Sequence, residues 1–371
     1  MTFDSYKFDE RLAFASTPPN GWYTDPLILK REKERIFGRT WQLVGRLDAV
    51  ARPGQYFTAM IADEPVLVVR DHQERLRAFS NVCRHRAGPV ALGCGERKGF
   101  QCRYHGWTYT LDGRLTGAPE FDGVECWTKE ENGLPEFRVE SWGNLVFVNT
   151  DRNCAPLGES FGNVAQLLGQ RHEWQKLPLA AHKDWSVDCN WKVYVDNYLE
   201  GYHIPIVHPS LNREIDYASY ITETGRFHSV QYSPLKSGES LKISKGSGAT
   251  GSEVLYIWFY PNLMLNIYPD NYSTNLIVPL APERTLTVFE WYFKDPERAE
   301  TQAAIKRAIE FSDEIQREDI FICEAVQRGL RSSNYSHGRY SVKRESGVHH
   351  FHSLLAESIS SGNLQSAPDR L

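Results

Sequence analysis

Cys83-Arg84-His85, sixteen further residues, and Cys102-Arg103-Tyr104-His105 form the stretch that most constrains this chain. Whatever the fold, it has to bring two thiols and two imidazoles to one point. Tetrahedral zinc sites usually pair like with like, as Cys-x2–4-Cys and His-x3–5-His. Here each cluster offers one Cys and one His. That suits a two-iron cluster in which one iron takes both thiolates and the other both imidazoles, the ligation that raises a [2Fe–2S] potential above that of an all-cysteine centre. Asn81, Gly88, Pro89, Gly93, Gly95 and Gly99 punctuate the stretch with turns, as expected where backbone N–H groups must approach cluster sulfurs closely. Structural cysteines beside ordinary surface histidines, or a structural zinc, are the competing readings of the same four residues.

Length and composition bound the rest. At 371 residues the chain is long enough for a large core and two domains. A net charge of −5 leaves no basic footprint for nucleic acid or an anionic membrane. No basic leader precedes an apolar run, and no stretch of 18 apolar residues occurs, so neither secretion nor membrane spanning is indicated and the cytoplasm is expected. Beyond Cys83 and Cys102, the cysteines at 94, 126, 154, 189 and 323 show no framework spacing, which fits free thiols in a reducing compartment.

Along the chain, Asp25 and Pro26 predict a capped helix start, with Leu27, Leu29, Ile36 and Phe37 as a partial apolar face. From Trp41 to about Asn149 short strands alternate with Gly and Pro breaks: Gln55–Thr58, Pro65–Arg70, Trp107–Tyr109 and Asn144–Asn149. These predict a small β domain with the two ligand clusters on neighbouring loops. The Gly/Ser-rich run 236–248 is expected to be a mobile loop. Strands are predicted at 254–260, 263–268, 273–280 and 285–293, the pattern of an antiparallel sheet. Helices from about Glu297 to Arg328 should pack on it through Ala304, Ile305, Ile309, Phe311, Ile315, Ile320, Phe321 and Val326.

A second centre lies in Asp196-Asn197-Tyr198-Leu199-Glu200-Gly201-Tyr202-His203-Ile204-Pro205-Ile206-Val207-His208-Pro209. Five residues on a straight helix separate two side chains by about 140°, but Pro205 disrupts the helix between the histidines, and a bend could bring the rings together. Two His and one carboxylate make the facial triad of non-haem Fe(II) oxygenases. The third ligand has to come from elsewhere. Two ordinary, hydrogen-bonded histidines are the bland alternative.

The pattern Cys83-x-His85-x16-Cys102-x2-His105-Gly106-Trp107 resembles the Rieske signature, with Arg103 where that family usually has proline. With the histidine pair about 100 residues further on, nearly the whole chain resembles the catalytic α subunit of a Rieske non-haem iron oxygenase. The resemblance implies an α+β fold: an all-β Rieske domain, residues 41–155, inserted into a helix-grip catalytic domain built from a helical lead-in, 1–40, and residues 156–371. It implies that Cys83, His85, Cys102 and His105 hold a [2Fe–2S] cluster. His203 and His208 become ligands of one mononuclear Fe(II), with Asp319 as the carboxylate and Glu318 as its main competitor. It also implies that Glu200 bridges the iron site to a Rieske histidine of a neighbouring subunit in a homotrimer, with Asp196 a weaker candidate. Electrons would come from NAD(P)H through a separate flavin and iron–sulfur reductase, since the chain has no Gly-x-Gly-x-x-Gly after a strand. An electron carrier with only the Rieske centre would have no need of His203, His208 and Asp319.

Within the family the chain most resembles the choline, betaine and carnitine branch, through Asn197–His203, Trp258–Met264 and the tail Gly338–His352. That branch hydroxylates or N-demethylates a quaternary ammonium substrate. Such a cation has no N–H and is recognised by aromatic faces and carboxylates. Tyr256, Trp258, Tyr260, Tyr268 and Tyr272 are the candidate cage, with sheet core as their alternative role. The competing substrate class is an arene or aromatic acid, which would want apolar walls and an Arg clamp.

Overall fold

The computed structural model describes residues 6–169, 174–236 and 253–360. The expected mobile run 236–248 lies, apart from Lys236, outside the described residues. The chain divides into two compact units, Phe37–Leu157 and a second formed by Met1–Ile36 with Gly158–Leu371.

In the smaller unit the strand Glu64–Arg70 explains the architecture. Its side chains alternate between faces, yet the run Val66-Leu67-Val68-Val69 is apolar throughout. Leu67 and Val69 enter one core with Tyr56, Phe79, Phe100, Trp107 and Tyr109. Val66 and Val68 enter another with Ala78, Val146 and Val148. The strand is buried on both sides. It sits inside a seven-stranded antiparallel sheet whose order is Gln42–Arg46, Leu145–Asn149, Glu136–Trp142, Leu76–Ser80, Glu64–Arg70, Gln55–Ile61 and Cys94–Glu96. A three-stranded sheet, Phe100–Gln101, Thr108–Tyr109 and Leu115–Gly117, stands beside it. Cys83 and Cys102 belong to the first core, which anchors both ligand loops from beneath.

The larger unit is a seven-stranded antiparallel sheet of order Leu179–Val187, Arg284–Phe293, Asn271–Ala281, Leu263–Ile267, Glu253–Phe259, His228–Pro234 and Ile221–Thr224. The helical segment is one helix of 32 residues, Ala299–Leu330. Ile305 packs with Phe289, Trp291 and Phe293, and Phe311 and Ile315 pack with Ile204, Leu211 and Tyr220. Two expected packing residues are not in the core: Phe321 is 71% exposed and Val326 44%. The buried stripe runs instead through Gln316, Cys323, Gln327 and Leu330. At steps of three, four and seven these share one face of the helix, and Phe321 lies off it. Gln316 on this stripe lines the cavity described below, while Gln327 accepts from Asn190 N–H at 2.8 Å and donates to Glu283 Oε1 at 3.1 Å.

The lead-in helix Pro26–Glu32 is capped as expected, with the Asp25 side chain accepting from the Leu27 N–H at 2.8 Å. Its last residue, Glu32, is fully buried with Lys192: Lys192 Nζ lies 2.6 Å from Oε1, and Trp191 Nε1–H donates to Oε2 at 2.8 Å. That pair ties the lead-in to the helix Trp191–Tyr198, which carries the chain into the His203 segment.

Candidate metal centres

The two loops of the smaller unit are built alike. Cys83 N–H donates to Gly88 O at 2.8 Å and Cys83 O accepts from Ala87 N–H at 3.0 Å; Cys102 N–H donates to Trp107 O at 2.9 Å and Cys102 O accepts from Gly106 N–H at 3.0 Å. Each cysteine thus opens a tight turn, completed by Ala87 and Gly106 at positive φ. The thiols are buried and adjacent, and burial pushes the Cys102 pKa up. Gly88 permits the close approach, since a Cβ there would lie 3.1 Å from Cys102 Sγ. The His85 and His105 ring centroids are 4.6 Å apart, and His85 stacks on the buried Trp107 ring at 5.0 Å. His85 Nδ1 is buried without a hydrogen-bond partner. A buried ring nitrogen with nothing to bond, beside two paired thiols, fits ligation of a metal cluster. Tyr109 OH, 3.3 Å from Cys83 Sγ, adds a polar contact that spacing alone did not reveal. Arg103 is exposed.

In the larger unit, Asn190 caps the helix Trp191–Tyr198 by accepting from Lys192 N–H at 3.0 Å. The helix ends at Leu199, and a turn through Glu200 and Gly201 leads to His203. The bend between the histidines is not at Pro205. Pro205 sits in the first turn of the short helix Ile204–Val207, where proline is tolerated, and the backbone leaves helical geometry at His208, with φ −118 and ψ 72. The two rings come to 4.9 Å. Asp319 reaches them from the long helix, its Oδ1 3.0 Å from His208 Nε2 and 3.8 Å from His203 Nε2. Ligand atoms of His203, His208 and Asp319 lie within 4.8 Å of one another, a set that a single ion could gather.

Carboxylates hold the far side of both rings. Glu200 Oε1 is 2.6 Å from His203 Nδ1, and its Oε2 accepts from the backbone N–H of Tyr202 and of His203. Glu318 Oε2 is 2.7 Å from His208 Nδ1. Burial alone would lower the His208 pKa, but Asp319 and Glu318 outweigh it and hold it above the ordinary value. Asn197 donates to Asp319 Oδ1 at 2.6 Å.

A cavity of about 110 Å³ opens onto these groups. Tyr194, Tyr198, Tyr220, Tyr256 and Tyr268 line it, with Phe311 and Ile315 from the long helix and the amides of Asn266 and Asn275. Its charged side chains are the acids Glu200 and Asp319. Tyr256 and Tyr268 therefore stand where a cage would need them. Trp258 and Tyr260 do not. Trp258 shares a strand face with Tyr256 and Tyr260 follows the strand's end, but both meet the helix Ser346–Ser360: Trp258 packs on Phe351, and Tyr260 OH bonds Ser358 Oγ at 2.6 Å. Tyr272 stacks on Tyr292 at 4.3 Å. Asp196 is also elsewhere, accepting from Tyr23 OH at 2.8 Å and 2.9 Å from His352 Nε2. Among the lining residues not foreseen, Phe311 and Ile315 share a helix face with the foreseen Asp319, spaced by fours, and Tyr194 and Tyr198 lie four apart on the helix before His203.

With these two centres in place, the chain belongs to the Rieske ring-hydroxylating oxygenases: residues 176–361 match the ring hydroxylating alpha subunit catalytic domain and residues 40–128 the Rieske [2Fe-2S] domain. It is an oxidoreductase whose two domains hold a [2Fe–2S] cluster and a mononuclear iron, and it takes its electrons from a reductase partner. Among its relatives, the chloroplastic choline monooxygenase of Arabidopsis thaliana is 39% identical over 95% of this chain and 86% of its own length. The carnitine monooxygenase oxygenase subunit of Escherichia coli (strain K12) is 32% identical over 93% and 96%. The crystal structure of the quaternary ammonium Rieske monooxygenase CntA in complex with L-carnitine superposes with a TM-score of 0.81 at 30% identity, covering 94% of this chain and 97% of the other.

Proposed function

We propose that this chain is the terminal oxygenase of a monooxygenase system that hydroxylates or N-demethylates a quaternary ammonium compound of the choline, betaine or carnitine type. Electrons pass from NAD(P)H through a flavin and iron–sulfur reductase, in the cytoplasm, to a homotrimer of this chain. In this reading Cys83, Cys102, His85 and His105 hold the cluster, and His203, His208 and Asp319 hold the iron. Bound iron supplies O₂ activation, which no side chain here could provide. The residues decide what is presented to it and in what orientation.

The observation that carries the substrate class is the tyrosine-lined cavity whose charged walls are acidic. A quaternary nitrogen cannot donate a hydrogen bond, so recognition falls to ring faces and negative charge, with a desolvated cation–π contact contributing about 2 kcal/mol. Tyr256 and Tyr268 supply faces, while Tyr198 OH, donating to Asn266 Oδ1 at 2.9 Å, closes the polar floor. Glu200 orients His203 through one oxygen. In the trimer its carboxylate also takes an N–H from a Rieske histidine of the next subunit, completing a short electron route.

Equilibrium binding of choline, glycine betaine, carnitine and benzoate to the purified enzyme tests the pocket. Quaternary ammonium compounds should bind, and Tyr256→Leu and Tyr268→Leu should each weaken them roughly 10- to 30-fold, the factor that about 2 kcal/mol implies. Binding of benzoate with no response to any quaternary amine would sink the substrate class.

A further inference from the structure

We infer that Glu318 is the positioning residue that makes His208 a metal ligand: its carboxylate holds the Nδ1 proton and so reserves Nε2 for the ion. This rests on reading His203, His208 and Asp319 as the iron ligands. Glu318 Oε2 lies 2.7 Å from Nδ1, and Asp319 Oδ1 lies 3.0 Å from Nε2 on the other side of the same ring. An acid placed across the ring in this way does not share an ion with Nε2; it orients the ring that does.

The sequence makes the arrangement economical. Consecutive residues on a helix point about 100° apart, so Glu318 and Asp319 take one imidazole from two sides. The neutral ring carries a single N–H, and a carboxylate can only accept, so the contact selects the tautomer as well as the angle. His208 is 2% exposed and Glu318 28%, so the bond is made in a shielded setting from a side chain that could otherwise turn to solvent. One turn earlier on the same helix, Glu314 accepts from Ser210 Oγ at 2.6 Å, which fixes the segment after His208 to the same face. His203 has the matching contact, but from Glu200 within its own turn. For His208 the carboxylate comes from the helix that also brings Asp319. Loss of Glu318 therefore frees the ring without removing a ligand.

The test uses the full chain with its cluster oxidised and its mononuclear iron removed, and Co(II) as the probe. Affinity is read by chelator competition and ligand geometry by the high-spin Co(II) EPR signal. Glu318→Ala and Glu318→Leu should weaken Co(II) binding 10- to 100-fold, in the range found when a carboxylate behind a ligand histidine is lost, and should broaden the signal. Glu318→Gln keeps an acceptor oxygen and should recover most of the affinity. Asp319→Ala, the control, should bind no Co(II) at this site. Wild-type affinity and signal in Glu318→Ala, or a loss in Glu318→Gln as large as in Glu318→Ala, overturns the inference while leaving the ligand set standing. Unchanged Co(II) binding in Asp319→Ala refutes the ligand set itself.

Discussion

Asp319 meets both histidine Nε2 atoms from a helix more than 100 residues away, so its removal should empty the mononuclear site without disturbing the cluster loops. For Asp319→Ala, iron and acid-labile sulfide analysis should give two irons and two sulfides per chain where the parent gives three irons, with the cluster's visible spectrum unchanged. Loss of the cluster spectrum in that variant would contradict the assignment. Glu200→Gln should retain both centres yet slow turnover at least tenfold, because a neutral amide cannot accept from two imidazole N–H groups as a carboxylate can. The groupings of Cys83 and His85 with Cys102 and His105, and of His203 with His208 and Asp319, were legible because metal chemistry demands particular side chains at particular spacings. The cavity lining was only partly legible. Alternation along 254–260 tells which residues share a face, but not that the cover over that face changes from the iron site at Tyr256 to the helix Ser346–Ser360 at Trp258.

Helices and strands hold these residues through buried polar contacts as well as apolar ones. Glu32 and Lys192 are both fully buried, so Glu32→Ala would strand an ammonium and an indole N–H in the core. A cost of about 3–5 kcal/mol is expected, read as a large drop in the thermal midpoint. In the cluster unit, Asp71 is buried at the turn joining Glu64–Arg70 to Leu76–Ser80. It accepts from the Gln73 and Arg75 N–H groups and from Arg75 Nε, all within 2.9 Å. Burial by itself would raise its pKa, but these bonds prevail and hold it below the ordinary 3.8. A depressed carboxylate stabilises the fold above its unfolded pKa and loses that contribution as pH falls through the folded one. Asp71→Asn should therefore cost about 1.5–3 kcal/mol near neutrality, and its deficit relative to the parent should close only below about pH 4. Periodicity gave four of the seven strands of the larger sheet, while Leu179–Val187, Ile221–Thr224 and His228–Pro234 were not read from it. Nor could the face of the long helix be read from it: its buried stripe runs through Gln316, Cys323 and Gln327, so the apolar list wrongly drew in Phe321 and Val326.

At the scale of the whole molecule, the family assignment and the two compact units describe an oxidoreductase with a Rieske domain and a separate ring-hydroxylating catalytic domain. If the chain assembles as proposed and the route runs between subunits, a mixture of Glu200→Gln chains and Cys83→Ser chains should recover activity that neither variant has alone, since some neighbours then pair an intact cluster with an intact Glu200. No recovery in verified mixed trimers would place the route within one chain. The claim that joins every scale is oxidation of a quaternary ammonium compound at the Tyr256–Tyr268 pocket. It is tested most directly by reconstituting the enzyme with a reductase and following NADH, O₂ and products together over choline, glycine betaine, carnitine and a set of arenes. Consumption of NADH and O₂ in step with hydroxylated product or formaldehyde from a quaternary amine is the predicted result. Coupled turnover of an arene, with no turnover of any quaternary amine, would contradict it.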